Sequence, residues 1–126
     1  MALFISGALP AQEKSLPEKL AQEQLDAYNK KDIDAFVAPY SDSVAVYMFP
    51  DKLLYKGKET MRQQYGPMFK NSPDLFCKLQ NRMVLKNTVI DHELVTFSKT
   101  QAPVQAIAIY TIEKDKIAAV HFIMPQ

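Results

Sequence analysis

LFCKLQNRMVLKNTVIDHELVTFS, residues 75–98, decides the fold. Residues 75–85 and 88–98 are two runs rich in strand-forming side chains. Lys86-Asn87 separates them and reads as a hairpin turn. A two-residue turn there pairs Arg82 with Asp91, Asn81 with His92 and Gln80 with Glu93. Strand side chains alternate faces, so Asp91 and Glu93 share one face and His92 takes the other. Three ionisable residues in a row at mid-strand need a reason.

Outward from this hairpin, residues 104–112 (VQAIAIYTI) and 117–124 (IAAVHFIM) form a second hairpin around Glu113 to Lys116. The region before residue 75 is different. Ser15-Leu16-Pro17-Glu18 is a capping box, and proline in a first turn forfeits no helical bond. From there to about Lys30, Leu16, Leu20, Ala21, Leu25 and Tyr28 lie on one helical stripe. Asp32 caps a short second helix, DIDAFVA, which stops before Pro39. SVAVYMF (43–49) reads as a strand closed by Pro50-Asp51, and 53–56 as a short one. Gly57 opens a third helix with Met61, Tyr65, Met68 and Phe69 in step, which Pro67 is expected to kink or shorten. Helices first and long antiparallel strands afterwards is an α+β pattern.

Composition narrows the function. The 126 residues suit one domain, with residues 1–14 a tail and 15–126 the folded unit. A net charge of +1 without a basic block argues against nucleic acid as a partner. No run approaches the ~20 apolar residues of a membrane span. The lone Cys77, in an apolar run, reads as a small core residue. Two histidines and scattered carboxylates give no metal-ligand spacing, and three consecutive strand residues cannot all face one ion. There is no phosphate-cradling glycine loop and no nucleophile motif, so neither metal nor cofactor is expected. Leu3, Phe4 and Ile5, followed by small residues to Ala11, look like the end of a signal peptide without its basic start. Two readings stay open: an exported, periplasmic protein, or a cytoplasmic one with a plain tail.

Four segments carry a family resemblance: QLDAYNKKDIDAFVAPYSDSVAVYMFP (24–50), KGKETMRQQYGPMF (56–69), NRMVLKNTVIDHE (81–93) and AIAIYTIEKDKIAAVHFI (106–123). Their order resembles the nuclear transport factor 2-like superfamily, and within it the SnoaL-like branch of polyketide cyclases and steroid Δ-isomerase-like proteins. The resemblance implies a cone-shaped α+β barrel, about three helices on a strongly curved antiparallel sheet, with a pocket inside and a homodimer through the outer face. It does not carry ketosteroid isomerase chemistry. The base position before Pro50 holds Met48 and Phe49, the first-helix position falls near Gln24, and the later-strand position near Ala108. The SnoaL cyclases place an aspartate near the last strand, where this chain has His121.

Two arguments place the pocket face differently. Hydrophobicity favours the face of Cys77, Leu79, Met83, Leu85, Ile90 and Leu94, with Asn81 and His92 inward. The superfamily alignment favours Val89, Asp91, Glu93, Val95 and Phe97, and a bulge would change the parity partway. On the second reading, Asp91 and Glu93 sit among Val95, Phe97, Tyr110 and Phe122. Burial would raise one carboxyl and Arg82 lower the other, giving a general acid and base. The plainer alternative is a structural Arg82–Asp91 pair. His92 is a third acid–base candidate, or a strand histidine bonded to Asn81. Tyr28, Tyr47, Phe49, Tyr65 and Tyr110 are either pocket walls with hydroxyl handles or ordinary core. The resulting expectation is a small, largely apolar ligand with isomerase, cyclase or dehydratase chemistry, against a non-catalytic binding or dimerisation domain.

Overall fold

The computed structural model describes residues 13–125. The reading of residues 1–11 as a signal remnant or tail lies outside them. Nine elements follow in order: helices α1 (Leu16–Lys30) and α2 (Ile33–Val37), strands β1 (Tyr40–Met48) and β2 (Lys52–Lys56), helix α3 (Lys58–Asn71), then β3 (Phe76–Leu85), β4 (Thr88–Thr96), β5 (Val104–Glu113) and β6 (Lys116–Ile123). The expected three helices and α+β order are present.

Local signals set the boundaries. The Ser15 hydroxyl accepts from the Glu18 amide, and Asp32 accepts from the Ala35 amide at 3.1 Å. Lys31, in the left-handed region at φ 57°, ends α1. Gly57, at φ 97°, starts α3 in a backbone conformation that side-chain-bearing residues resist. Pro67 does not shorten α3, which runs four residues beyond it. Lys114 and Asp115, both at positive φ, make the tight β5–β6 turn. The Phe49–Pro50 peptide in the β1–β2 turn is cis.

The six strands form one sheet in the order β2-β1-β6-β5-β4-β3. The expected helices on a curved antiparallel sheet are present, with two details added. β1 and β6 pair parallel, because β1 leaves the helical layer running in the direction in which β6 returns. The sheet also stays open, with β2 and β3 at its edges. α1 packs across β3 to β6, and α3 against β1 and β2. Between helices and sheet lie Phe36, Met61, Leu75, Ile117, Val44 and Val120, all essentially without solvent contact. Phe36 touches Tyr28, Tyr65 and Phe69 at ring-centroid distances of 4.7–6.0 Å, within the range of favourable aromatic pairs.

The β3–β4 register holds Arg82 opposite Asp91 and Asn81 opposite His92, as the two-residue turn predicts. Glu93 instead faces Leu79, because Gln80 is an extra residue bulged out of the ladder. The bulge switches the faces of β3. Before it Cys77 and Leu79 point inward; after it Arg82 does, while Met83 and Leu85 are exposed. The face of Val89, Asp91, Glu93 and Val95 is therefore the inward one along all of β4, and the hydrophobicity argument holds only for Cys77 and Leu79, ahead of the bulge.

Two polar junctions tie α1 to this hairpin. Arg82 donates from Nε and Nη2 to the two Asp91 carboxylate oxygens at 2.7 and 2.9 Å. Its Nη1 donates to the Gln22 side-chain oxygen Oε1 at 2.8 Å and lies 3.9 Å from Glu18. Asp91 has no solvent exposure. Near the end of the helix, Asn29 donates to the Cys77 carbonyl at 2.9 Å and accepts from the Cys77 amide at 2.8 Å.

Removing one partner of a buried pair leaves an uncompensated charge. Arg82→Ala and Asp91→Asn are each expected to lower unfolding free energy by about 3–5 kcal/mol in chemical denaturation. Replacing both together, Arg82→Met with Asp91→Leu, should recover most of that loss. A single variant within about 0.5 kcal/mol of wild type would show that the pair is dispensable.

Candidate functional site

Between helices and sheet the concave face leaves a cavity of about 290 Å³. Its size is at the small end of ligand sites, roughly 300–1,000 Å³. Its floor comes from alternate inward residues of β4 and β5: Glu93 and Val95, Ala106 and Tyr110. α1 contributes Gln24 and Tyr28, and α3 contributes Tyr65 and Met68. Val46 and Met48 of β1, Tyr55 of β2 and Phe122 of β6 complete the walls. Leu54 and Phe97, both more than a third exposed, stand at the rim.

The wall is apolar apart from a few groups, and those differ in how they are satisfied. Gln24 is tied on three sides: its amide donates to the Ala21 carbonyl at 2.9 Å and to the Tyr110 hydroxyl at 3.0 Å, while its oxygen accepts from the Tyr40 hydroxyl at 3.0 Å. The Glu93 residue is 5% exposed, and its carboxyl lies within hydrogen-bonding reach of the Cys77 thiol. Burial pushes it from the ordinary 4.5 up to about 7; the nearby Cys77 thiol and Arg82 oppose this rise, and the Asp91 charge adds to it. Burial also raises the hydroxyls of Tyr28, Tyr40, Tyr65 and Tyr110 and the Cys77 thiol, with Glu93 adding to each. They therefore stay protonated at neutral pH and act as donors, and Cys77 is not poised as a nucleophile. The site offers one carboxyl able to gain or lose a proton near pH 7, among several hydroxyl donors.

The residues predicted from sequence divide cleanly. Glu93, Tyr28, Tyr65, Val95, Phe97, Tyr110 and Phe122 line the cavity. Asp91 does not; it faces inward, but both its oxygens are taken by Arg82. Arg82 is likewise spent on Asp91, Gln22 and Glu18. His92 and Asn81 lie off the cavity, and His92 Nε2 bonds Gln105 Oε1 at 2.7 Å rather than Asn81. Tyr47 and Phe49 are corrected as pocket residues. On β1 it is Val46 and Met48 that face inward, so Tyr47 stacks on His121 at 4.5 Å and Phe49 is 52% exposed.

Sequence reasoning missed Gln24, Tyr40 and Tyr55. Tyr40 follows Pro39, three residues ahead of the strand read at 43–49, and it is the first residue of β1. Tyr55 pairs with Val46 across the β1–β2 hairpin, so anchoring the inward face of β1 at Val46 would have found it. Among the described residues, no group of three or more His, Cys, Asp and Glu side chains is placed to hold a metal ion.

No curated protein matches the chain. Solved structures do. An uncharacterised cystatin-fold protein from Novosphingobium aromaticivorans superposes with a TM-score of 0.77 at 25% identity, covering 88% of this chain and 99% of its own. A SnoaL-like protein of unknown function from Burkholderia thailandensis gives 0.74 at 17%, covering 91% and 99%. An LEH-like epoxide hydrolase from M. tuberculosis gives 0.75 at 10%, covering 90% and 86%. The last two likenesses concern the fold alone. The model of the SnoaL-like domain matches residues 21–120, from the first helix to the last strand, and the chain belongs to that family.

Proposed function

We propose that the cavity binds a small, largely apolar molecule and that Glu93 moves a proton on it without a cofactor. The observation that carries this reading is Glu93 itself. It is the one carboxyl on the cavity wall, and no Lys, Arg or His shares that wall among the described residues. A structural carboxylate is normally paired, as Asp91 is. A buried carboxyl with only the Cys77 thiol beside it and no cation bonded to it costs stability, and its shifted acidity suits a general base that becomes a general acid. Isomerisation, cyclisation and dehydration all need this proton transfer. Asp91 is read as a structural partner of Arg82 and His92 as a surface residue. Residues 15–126 are read as a single SnoaL-like domain. The convex face, where Ile107, Ile109 and His92 point, is read as the contact of a homodimer.

Titration tests the assignment without a substrate. The Glu93 side-chain carbon resonance should titrate with a midpoint near 7, and a midpoint near 4.5 would sink the proposal. The stability consequence has a definite sign. A carboxyl whose acidity is weakened by folding supports the native state fully below pH 4.5 and loses that support as pH rises to about 7. Glu93→Gln removes this dependence. Above pH 7 the variant should exceed wild type by on the order of 3 kcal/mol, the two converging toward pH 4.5 in denaturant titrations.

For a substrate found by screening small cyclic carbonyl compounds, Glu93→Gln should cut kcat by about 10²–10⁴-fold and leave binding nearly intact. Binding without turnover in wild type would favour a carrier instead. Sedimentation equilibrium should show a dimer, and Ile107→Lys should give a monomer with the cavity unchanged.

A further inference from the structure

The Tyr55 hydroxyl is buried with no hydrogen-bond partner. An orphaned hydroxyl inside a protein forfeits a bond it makes in water, a cost of about 1–3 kcal/mol, and native folds seldom leave one without a reason. The Tyr65 hydroxyl lies close by, yet not at a geometry that satisfies it. Both side chains line the cavity, one from β2 and the other from α3. Both remain protonated, because burial raises them. The contrast with Gln24, Tyr40 and Tyr110 is direct: those three satisfy one another, and the Tyr55 hydroxyl has no such partner.

We propose that Tyr55 and Tyr65 form a donor subsite for an uncharged acceptor oxygen, so that the ligand is a small neutral carbonyl compound. This rests on the reading of the cavity as a ligand site and adds the chemistry of its occupant. The free donor is the Tyr55 hydroxyl, with the Tyr65 hydroxyl beside it, and it matches a lone pair of a ketone or aldehyde oxygen. Charge sets the rest of the selectivity. The walls carry no cation among the described residues, and Arg82 is closed off by Asp91. A carboxylate or phosphate ligand would enter without a counter-charge and meet Glu93, a repulsion strengthened in an apolar surround. The carbonyl oxygen thus sits at the tyrosines, and the hydrocarbon portion fills the space lined by Met48, Met68 and Phe122.

The test uses three bicyclic probes of similar size: 1-tetralone, the hydrocarbon tetralin, and 1-naphthoate. Affinities are measured at pH 8 by NMR titration of the full chain, for wild type, Tyr55→Phe, Tyr65→Phe and Glu93→Gln. Wild type should prefer tetralone to tetralin by roughly three- to tenfold, the worth of one ordinary hydrogen bond. The infrared carbonyl stretch of bound tetralone should fall below its value in hexane. Tyr55→Phe should abolish both the preference and the infrared shift while leaving tetralin affinity unchanged, and Tyr65→Phe should reduce both. Naphthoate should bind wild type more weakly than tetralone and gain affinity in Glu93→Gln. Retention of the preference and the shift in both phenylalanine variants overturns the subsite and leaves the cavity reading standing. Failure of both tetralone and tetralin to bind wild type overturns the cavity reading, and the subsite with it. Naphthoate binding more tightly than tetralone overturns the neutral-ligand assignment.

Discussion

The concave face of the sheet must serve as the floor of a hydrophobic core and as the wall of a cavity, and the bulge at Gln80 makes both possible. Without that extra residue β3 would keep one parity along its length. Cys77 and Leu79 facing the helices would then put Arg82 on the solvent side. Asp91 opposite it would be a buried carboxylate without a partner. The bulge lets the apolar half of β3 seal the core and the basic residue turn inward where an acid needs it. Bulges also increase local bending, which is how a flat ladder becomes a curved wall.

Asp91 and Glu93, two residues apart on the same face of one strand, then receive opposite environments. Arg82 reaches the first and neutralises it with a two-pronged bond. It does not reach the second, and there burial dominates. The difference between the two carboxyls is set by the reach of one guanidinium. It also sets the local charge balance, since the Arg82–Asp91 unit is nearly neutral as seen from the cavity. What remains on the cavity wall is one proton that Glu93 can hold or release.

Much of this was legible in the residues. The α+β order, the helix starts at Ser15 and Asp32 and the turn at Lys86-Asn87 follow from local chemistry, which acts over a few positions. The Arg82–Asp91 pairing followed from the turn because a two-residue hairpin sets register on both sides. The partner of Glu93 did not, because a bulge leaves no distinctive residue behind; Gln80 looks like any strand glutamine. The pocket reading of Tyr47 and Phe49 fails because both aromatics of 43–49 share one parity, whereas the fold turns the other parity, Val44, Val46 and Met48, inward. Pro67 also looked like a breaker, yet α3 continues past it with Met68 and Phe69 packed against the core. Tertiary packing there outweighs a single lost helical bond. The Tyr55 hydroxyl was beyond sequence reasoning altogether, since an unsatisfied group is defined by what the fold fails to bring near it.

The Asn29 carboxamide behaves like a fragment of a seventh strand. Its oxygen and nitrogen present to Cys77 the acceptor and donor that an added chain would offer. β3 ends the sheet, and its outward amides would otherwise template growth by strand addition from another molecule. A side chain from the helix layer occupies that position first. Strand addition across Cys77 therefore requires Asn29 to be displaced beforehand, so protection of that position is tied to docking of the first helix.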